Sequence, residues 1–225
     1  MADDLLSLPL PAPDAVSKLD LSPMRLLQDG WDFVKPYYLE TMGMVLAGMV
    51  FSGVLAKIPL LGMLLGVGIG AAVSAGVVYF LLGRYRGDSV GFDAALIPIR
   101  EKAVDIILTH ALSTLAIIVG FFLLVIPGIL AMALFAFALP LAVLTRTPAV
   151  DALKYSFELV KPQLGSVVVF VLALVLANVL GALMCGVGLL VSIPASIGAF
   201  VLVLAKLFGI SRQALPVGDS GPRPT

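Results

Sequence analysis

Few residues in this 225-residue chain have the types and spacing that do chemistry, and they are scattered through apolar sequence. Asp105 and His110 are the one ionisable cluster, at the edge of a long uncharged run. An ionisable pair inside a span marks a proton- or substrate-linked role by default. The competing structural reading puts Asp105 at the membrane edge, within reach of water or a neighbouring cation. His110, about 7.5 Å deeper at helical rise, then sits neutral against a backbone carbonyl or hydroxyl. Asn178 falls deep in another apolar run, where an amide seeks a partner on a neighbouring helix, an interaction of roughly 0.6–2 kcal/mol. Glu40, just inside the first apolar run, is expected to stay near headgroup water or to pair with Lys35 or a neighbouring unit. HExxH, CxxC, P-loop and GxSxG motifs are absent, and a single histidine cannot build a multi-histidine metal site. The one cysteine, Cys185, has no partner for an internal disulfide. No catalytic, cofactor-binding or metal site is expected, and the balance of 14 basic against 14 acidic residues gives no reason to expect nucleic acid as a partner.

A second pattern concerns packing. Gly62, Gly66, Gly70 and Ser74 recur every fourth residue, which places small side chains on one helix face and lets another backbone approach. That face is expected to pack inside the monomer, with a homo-oligomer interface as the alternative. Gly48 and Ser52 repeat the pattern in shorter form. Gly66-Val67-Gly68-Ile69-Gly70 has the look of a nucleotide loop but follows no strand and lies within an apolar run.

The elements that must position these residues are set by composition. Hydrophobic residues make up 60% of the chain and charged residues 12%, against roughly 25% charge in a soluble domain. This points to an all-α, multi-pass integral membrane protein. A spanning helix needs about 20 apolar residues. Candidates run from about 39 to 56 and 58 to 83. The runs 106–144 and 164–208 are each too long for one span, and they fold back at Pro127-Gly128 and at Cys185-Gly186-Val187-Gly188. Six spans in three hairpins result, with Pro59, Pro127 and Pro194 near the start of each hairpin's second helix. Residues 1–20 read as a polar tail without a basic leader region, 21–210 as one six-span domain, and 211–225 as a disordered tail.

Of the 14 basic residues, 13 fall on one side of this scheme, Lys57 being the exception. The positive-inside rule then places both termini in the cytoplasm. Two segments match on that side. Residues 24–36 and 150–162 each end in Lys-Pro, at Lys35-Pro36 and Lys161-Pro162. Arg25, Gln28, Asp32 and Lys35 share one face, and Leu27, Trp31 and Val34 the opposite one. The second segment sets Asp151, Lys154, Glu158 and Lys161 against Leu153, Phe157 and Val160. Both read as amphipathic helices in the cytoplasmic interface, anchored by Trp31 and Phe157. A degenerate copy at 92–104, interrupted by Pro98, completes three pseudo-repeats at about 21–83, 90–145 and 148–209.

The stretch Phe135-Ala136-Phe137-Ala138-Leu139-Pro140, then Asp151 to Lys161, and the later Gly186-Val187-Gly188-Leu189-Leu190 resemble a six-span bacterial membrane domain of unknown function. It is similar to the membrane domain attached to some glycerophosphodiester phosphodiesterases, and the resemblance implies a bacterial cytoplasmic (inner) membrane as the location. The resemblance covers roughly residues 20–210 and implies architecture alone, because the phosphodiesterase chemistry of the fused proteins lies in a separate soluble barrel. The first functional expectation is a non-enzymatic membrane scaffold or accessory protein whose partners are the bilayer and a cytoplasmic protein or a second copy. The alternatives are a small transporter or channel for lipid-like or apolar substrates, and a membrane-lipid enzyme.

Overall fold

The computed structural model describes residues 2–55, 57–58, 61–88, 90–184 and 186–211. Pro59 and Cys185, together with the tail from Arg212, lie outside the described residues. The described chain is all helical. Its helices are α1 (Pro23–Val34), α2 (Tyr38–Leu55), α3 (Leu61–Arg86), α4 (Ile97–Leu123), α5 (Val125–Phe135), α6 (Ala138–Leu144), α7 (Ala149–Val160), α8 (Leu164–Leu183) and α9 (Leu189–Leu207). Six helical stretches are long and apolar enough to cross a bilayer, which makes the protein an integral membrane protein.

The two matched segments are built alike. α1 and α7 are each followed by a 3-10 turn, Lys35–Tyr37 and Lys161–Gln163, that carries the Lys-Pro pair and leads into α2 and α8. Their buried positions coincide: Leu26, Gly30, Phe33 and Val34 in α1, and Ala152, Ser156, Leu159 and Val160 in α7. The middle segment departs from this pattern. It makes a short 3-10 turn, Phe92–Leu96, and Pro98 starts α4 instead of interrupting it, since the first helical turn has no need of proline's missing N–H. α4 then kinks at Lys102, whose φ and ψ are −134° and 33°.

Each unit's opening segment packs on the preceding unit, and the last closes on the first. α1 lies along α9, the 92–96 turn lies on α3, and α7 lies on α4, α5 and α6. Small residues permit this closeness. A methyl group at Gly30 would overlap the backbone of Ala199, and one at Gly198 would overlap the carbonyl of Gly30. One at Gly76 would stand 2.6 Å from the Ala95 carbonyl oxygen.

Packing differs along the spans. Residues 77–82 of α3, 137–138, 140–144 and most of 195–207 in α9 are buried. Toward the hairpin turns, Val50, Phe51, Phe122–Ile126 and Leu183–Met184 are exposed.

Three boundary expectations change. The second hairpin turns at Leu124, which is extended (φ −167°, ψ 159°), so Pro127 falls inside the first turn of α5, where proline is tolerated. The fourth span is broken at Ala136–Phe137 into α5 and α6. The third change is the largest. The segment 2–21 is no free tail: Leu5, Leu6, Pro11, Val16 and Leu21 are buried, the Leu8 N–H donates to the Leu144 carbonyl at 2.8 Å, and the Tyr155 hydroxyl donates to the Pro11 carbonyl. The 2–7 turn packs beside α3 and α6, and the turn at Val16–Lys18 packs on the Lys161–Gln163 turn.

Candidate functional site

Between α3, α5, α6, α8 and α9 lies an open cleft of about 830 Å³, within the roughly 300–1,000 Å³ typical of ligand pockets. Valines, leucines, isoleucines and alanines form most of its wall, and Phe200, Leu139 and Pro140 line its more tightly packed end. Phe200 stacks on the buried Phe137, ring centroids 5.7 Å apart, beside that end. Among the described residues, no charged side chain lines the cleft. Its polar groups are Asn178 on α8, Ser196 on α9 and Ser74 on α3.

Asn178 joins α8 to α9. Its Nδ2 donates to the Leu174 carbonyl at 2.8 Å and to Ser196 Oγ at 2.9 Å, and its Oδ1 accepts from Ser192 Oγ at 3.1 Å. Both amide protons are therefore committed. The Ser196 hydroxyl accepts from Asn178 and donates to no described residue, and Ser74 makes no hydrogen bond among the described residues. Two hydroxyl groups thus remain available to a molecule in the cleft.

The other sequence candidates do not converge here. Asp105 and His110 point to different neighbours. Asp105 Oδ1 accepts the backbone N–H of Ala149 at 3.3 Å, the first residue of α7, whose N–H has no partner within the helix. His110 lies against α3, where a methyl group on Gly70 would stand 3.1 Å from its Nε2. Five residues on a helix differ by about 140° in direction, which is why the pair does not form one site. Glu40 is half-buried in the first turn of α2 and makes no ion pair among the described residues.

The four-residue glycine face is not a continuous contact. Gly62 is buried and Gly70 accommodates His110, but a methyl group at Gly66 would meet nothing within 4 Å, and Ser74 lines the cleft. The close helix approaches occur at Gly30, Gly76, Gly120 and Gly181 instead. The anchor residues also move. Trp31 is half-buried with its ring 6.1 Å from Tyr38, while Phe157 is 41% exposed with Lys161 Nζ 6.0 Å from its centroid. Lys35 is exposed. The buried stripe runs through Gly30 and Ser156, about one residue off the expected one, because the partner of these helices is another helix of the bundle.

One polar junction has no motif in the sequence. Lys102 Nζ donates to the carbonyls of Leu6 (2.6 Å), Val143 (3.4 Å) and Thr145, at the kink of α4. A lysine that satisfies carbonyls at the end of α6 also meets the negative end of that helix. No three His, Cys, Asp or Glu side chains come together among the described residues.

No family model matches the chain, and no solved structure matches it. Over 131 residues it is 34% identical to an uncharacterized protein of Mycobacterium tuberculosis and, equally, to an uncharacterized protein of Mycobacterium bovis. The alignment covers 55% of this chain and 40% of each relative, so the chain spans well under half the length of the curated relatives it matches.

Proposed function

We propose that this protein is a non-enzymatic integral membrane protein that holds an uncharged, lipid-like molecule in the cleft between its spans, for carriage or presentation. The cleft itself carries the reading: about 830 Å³, walled by apolar side chains, with no charged side chain among the described residues that line it and with the hydroxyls of Ser74 and Ser196 as available polar groups. A carboxylate or phosphate taken into such a wall would have no compensating cation and would lose its hydration. A long apolar molecule with one carbonyl or hydroxyl would bury its chain and accept or donate one hydrogen bond. Isoprenoid alcohols, quinones and diacylglycerols have that chemistry.

The scaffold reading keeps one observation of its own, the exposed charges of α1 and α7: Asp29, Asp32 and Lys35 in and beside one, Lys154, Glu158 and Lys161 in and beside the other. These faces suit a protein partner at the end of the bundle. The excess of basic residues at that end supports a cytoplasmic location for it, in a bacterial inner membrane. The likeness to six-span bacterial membrane domains belongs with this proposal and adds no chemistry.

The test is photo-crosslinking of the purified protein with a diazirine-bearing diacylglycerol and, in parallel, a diazirine-bearing fatty acid at neutral pH. Labelled peptides from 171–182 and 193–200 with the diacylglycerol support the reading. Labels confined to the exposed outer faces of α2 and α4, or stronger labelling of the cleft by the fatty acid, overturn it.

A further inference from the structure

The last turn of α3 carries two arginines with different surroundings. Arg86 is paired: its Nη2 lies 2.6 Å from Asp88 Oδ2, and its Nε donates to the same oxygen at 2.8 Å. Arg84 makes no ion pair among the described residues, and its Nε is shielded from solvent without an acceptor. Its guanidinium lies 5.2 Å from the ring centroids of both Tyr37 and Phe80. Those rings meet edge to face at 6.4 Å, and Tyr37 is held in turn by Phe33, which packs on Tyr85.

Ring faces attract the charge, by roughly 0.5–2 kcal/mol, but they leave unmet the in-plane N–H donors of a guanidinium. The negative end of α3 offsets part of the charge as well, yet gives Nε no acceptor. A planar, unpaired guanidinium held between the last turns of α3 and the Lys35–Tyr37 turn has the shape that takes a phosphate oxygen pair in a bidentate grip. Basic pockets of this kind between spans receive anionic headgroups.

We infer that Arg84, in the niche formed by Tyr37 and Phe80, binds a phosphate group at the end of the bundle that bears most of the basic residues. The phosphate comes from a phospholipid headgroup or from free inorganic phosphate. This site is separate from the uncharged cleft and does not depend on it.

The full chain in a neutral detergent is titrated in one arm with phosphatidylglycerol in mixed micelles and in the other with inorganic phosphate. The variants are R84Q, R84K and, as an exposed arginine of α4, R100Q. The expected result is binding weakened about tenfold by R84Q, equivalent to about 1.4 kcal/mol, with R100Q close to wild type. A loss in the lipid arm alone identifies the headgroup, a loss in the phosphate arm alone identifies the free ion, and a loss in both identifies a site open to either. R84K keeps the charge but not the planar fork, so it is expected to bind several-fold more weakly, and it decides the matter if R84Q does not fold. Wild-type affinity of the folded arginine-84 variants in both arms, or an equal loss from R100Q, overturns the proposal.

Discussion

Asn178 Nδ2 stands 2.9 Å from Ser196 Oγ, and this contact ties the fifth span to the sixth beside the cleft. The amide also holds Ser192 and the Leu174 carbonyl, so it closes the α8–α9 hairpin and leaves the Ser196 proton for another acceptor. Replacing Asn178 by Leu is expected to lower stability by about 0.6–2 kcal/mol, the range for interhelical hydrogen bonds in membranes. Thermal unfolding in detergent measures this. An unchanged midpoint would mean that the amide carries no part of the hairpin's closure.

Glycine positions separate close contact from mere spacing. Gly30→Leu places a side chain into the backbone of Ala199, and overpacking of about 1–3 kcal/mol or more is expected, with α1 displaced from α9. Gly66→Leu meets open space within the chain and is expected to stay within about 0.5 kcal/mol of the parent. Thermal stability of the two variants, read together with their oligomeric state, checks this. If Gly66→Leu dissociates an oligomer at unchanged monomer stability, the glycine face is a subunit contact.

Lys102 binds the N-terminal segment to the end of α6 through the Leu6, Val143 and Thr145 carbonyls. Lys102→Met removes a charged donor, at a cost of about 1.5–3 kcal/mol, and is expected to release residues 2–10. Limited proteolysis reads the release as faster cleavage ahead of Pro11, with the spans intact. Equal cleavage rates would show that burial of Leu5 and Leu6 holds the segment unaided.

Topology has its own test. Reporter fusions after Lys57 and Gly186 are expected to report the outside, and fusions after Arg86 and Arg146 the cytoplasm. An outside signal at Arg146 would reverse the orientation.

The spans and the matched α1 and α7 are legible in the sequence because uncharged length and 3.6-residue periodicity are local properties. The rotation of α1 and α7 is not. Sequence favours Leu27, Trp31 and Phe157 for burial because they are large and apolar, whereas the bundle buries Gly30 and Ser156, whose smallness lets a second backbone come close. The four-residue spacing in α3 marks a face but not its neighbour, which turns out to be His110 at one glycine and open space at another. Leu5 and Leu6 look like punctuation in a polar tail because the gap they fill is formed by α3 and α6, far along the chain. The cleft has no local pattern in the sequence. It is formed by side chains from helices far apart in the chain, and among its lining residues only Asn178 stands out in the sequence.

The most direct measurement is native mass spectrometry of the protein purified from its membrane in mild detergent, with identification of any co-purified lipid, for wild type and for S74F, which fills the cleft from α3. The expected result is one uncharged lipid per wild-type chain and none on S74F, at equal or higher thermal stability, since a filled cavity stabilises. Wild-type chains without a stoichiometric uncharged lipid, or S74F chains that carry it undiminished, would contradict the assignment of the cleft as the functional site.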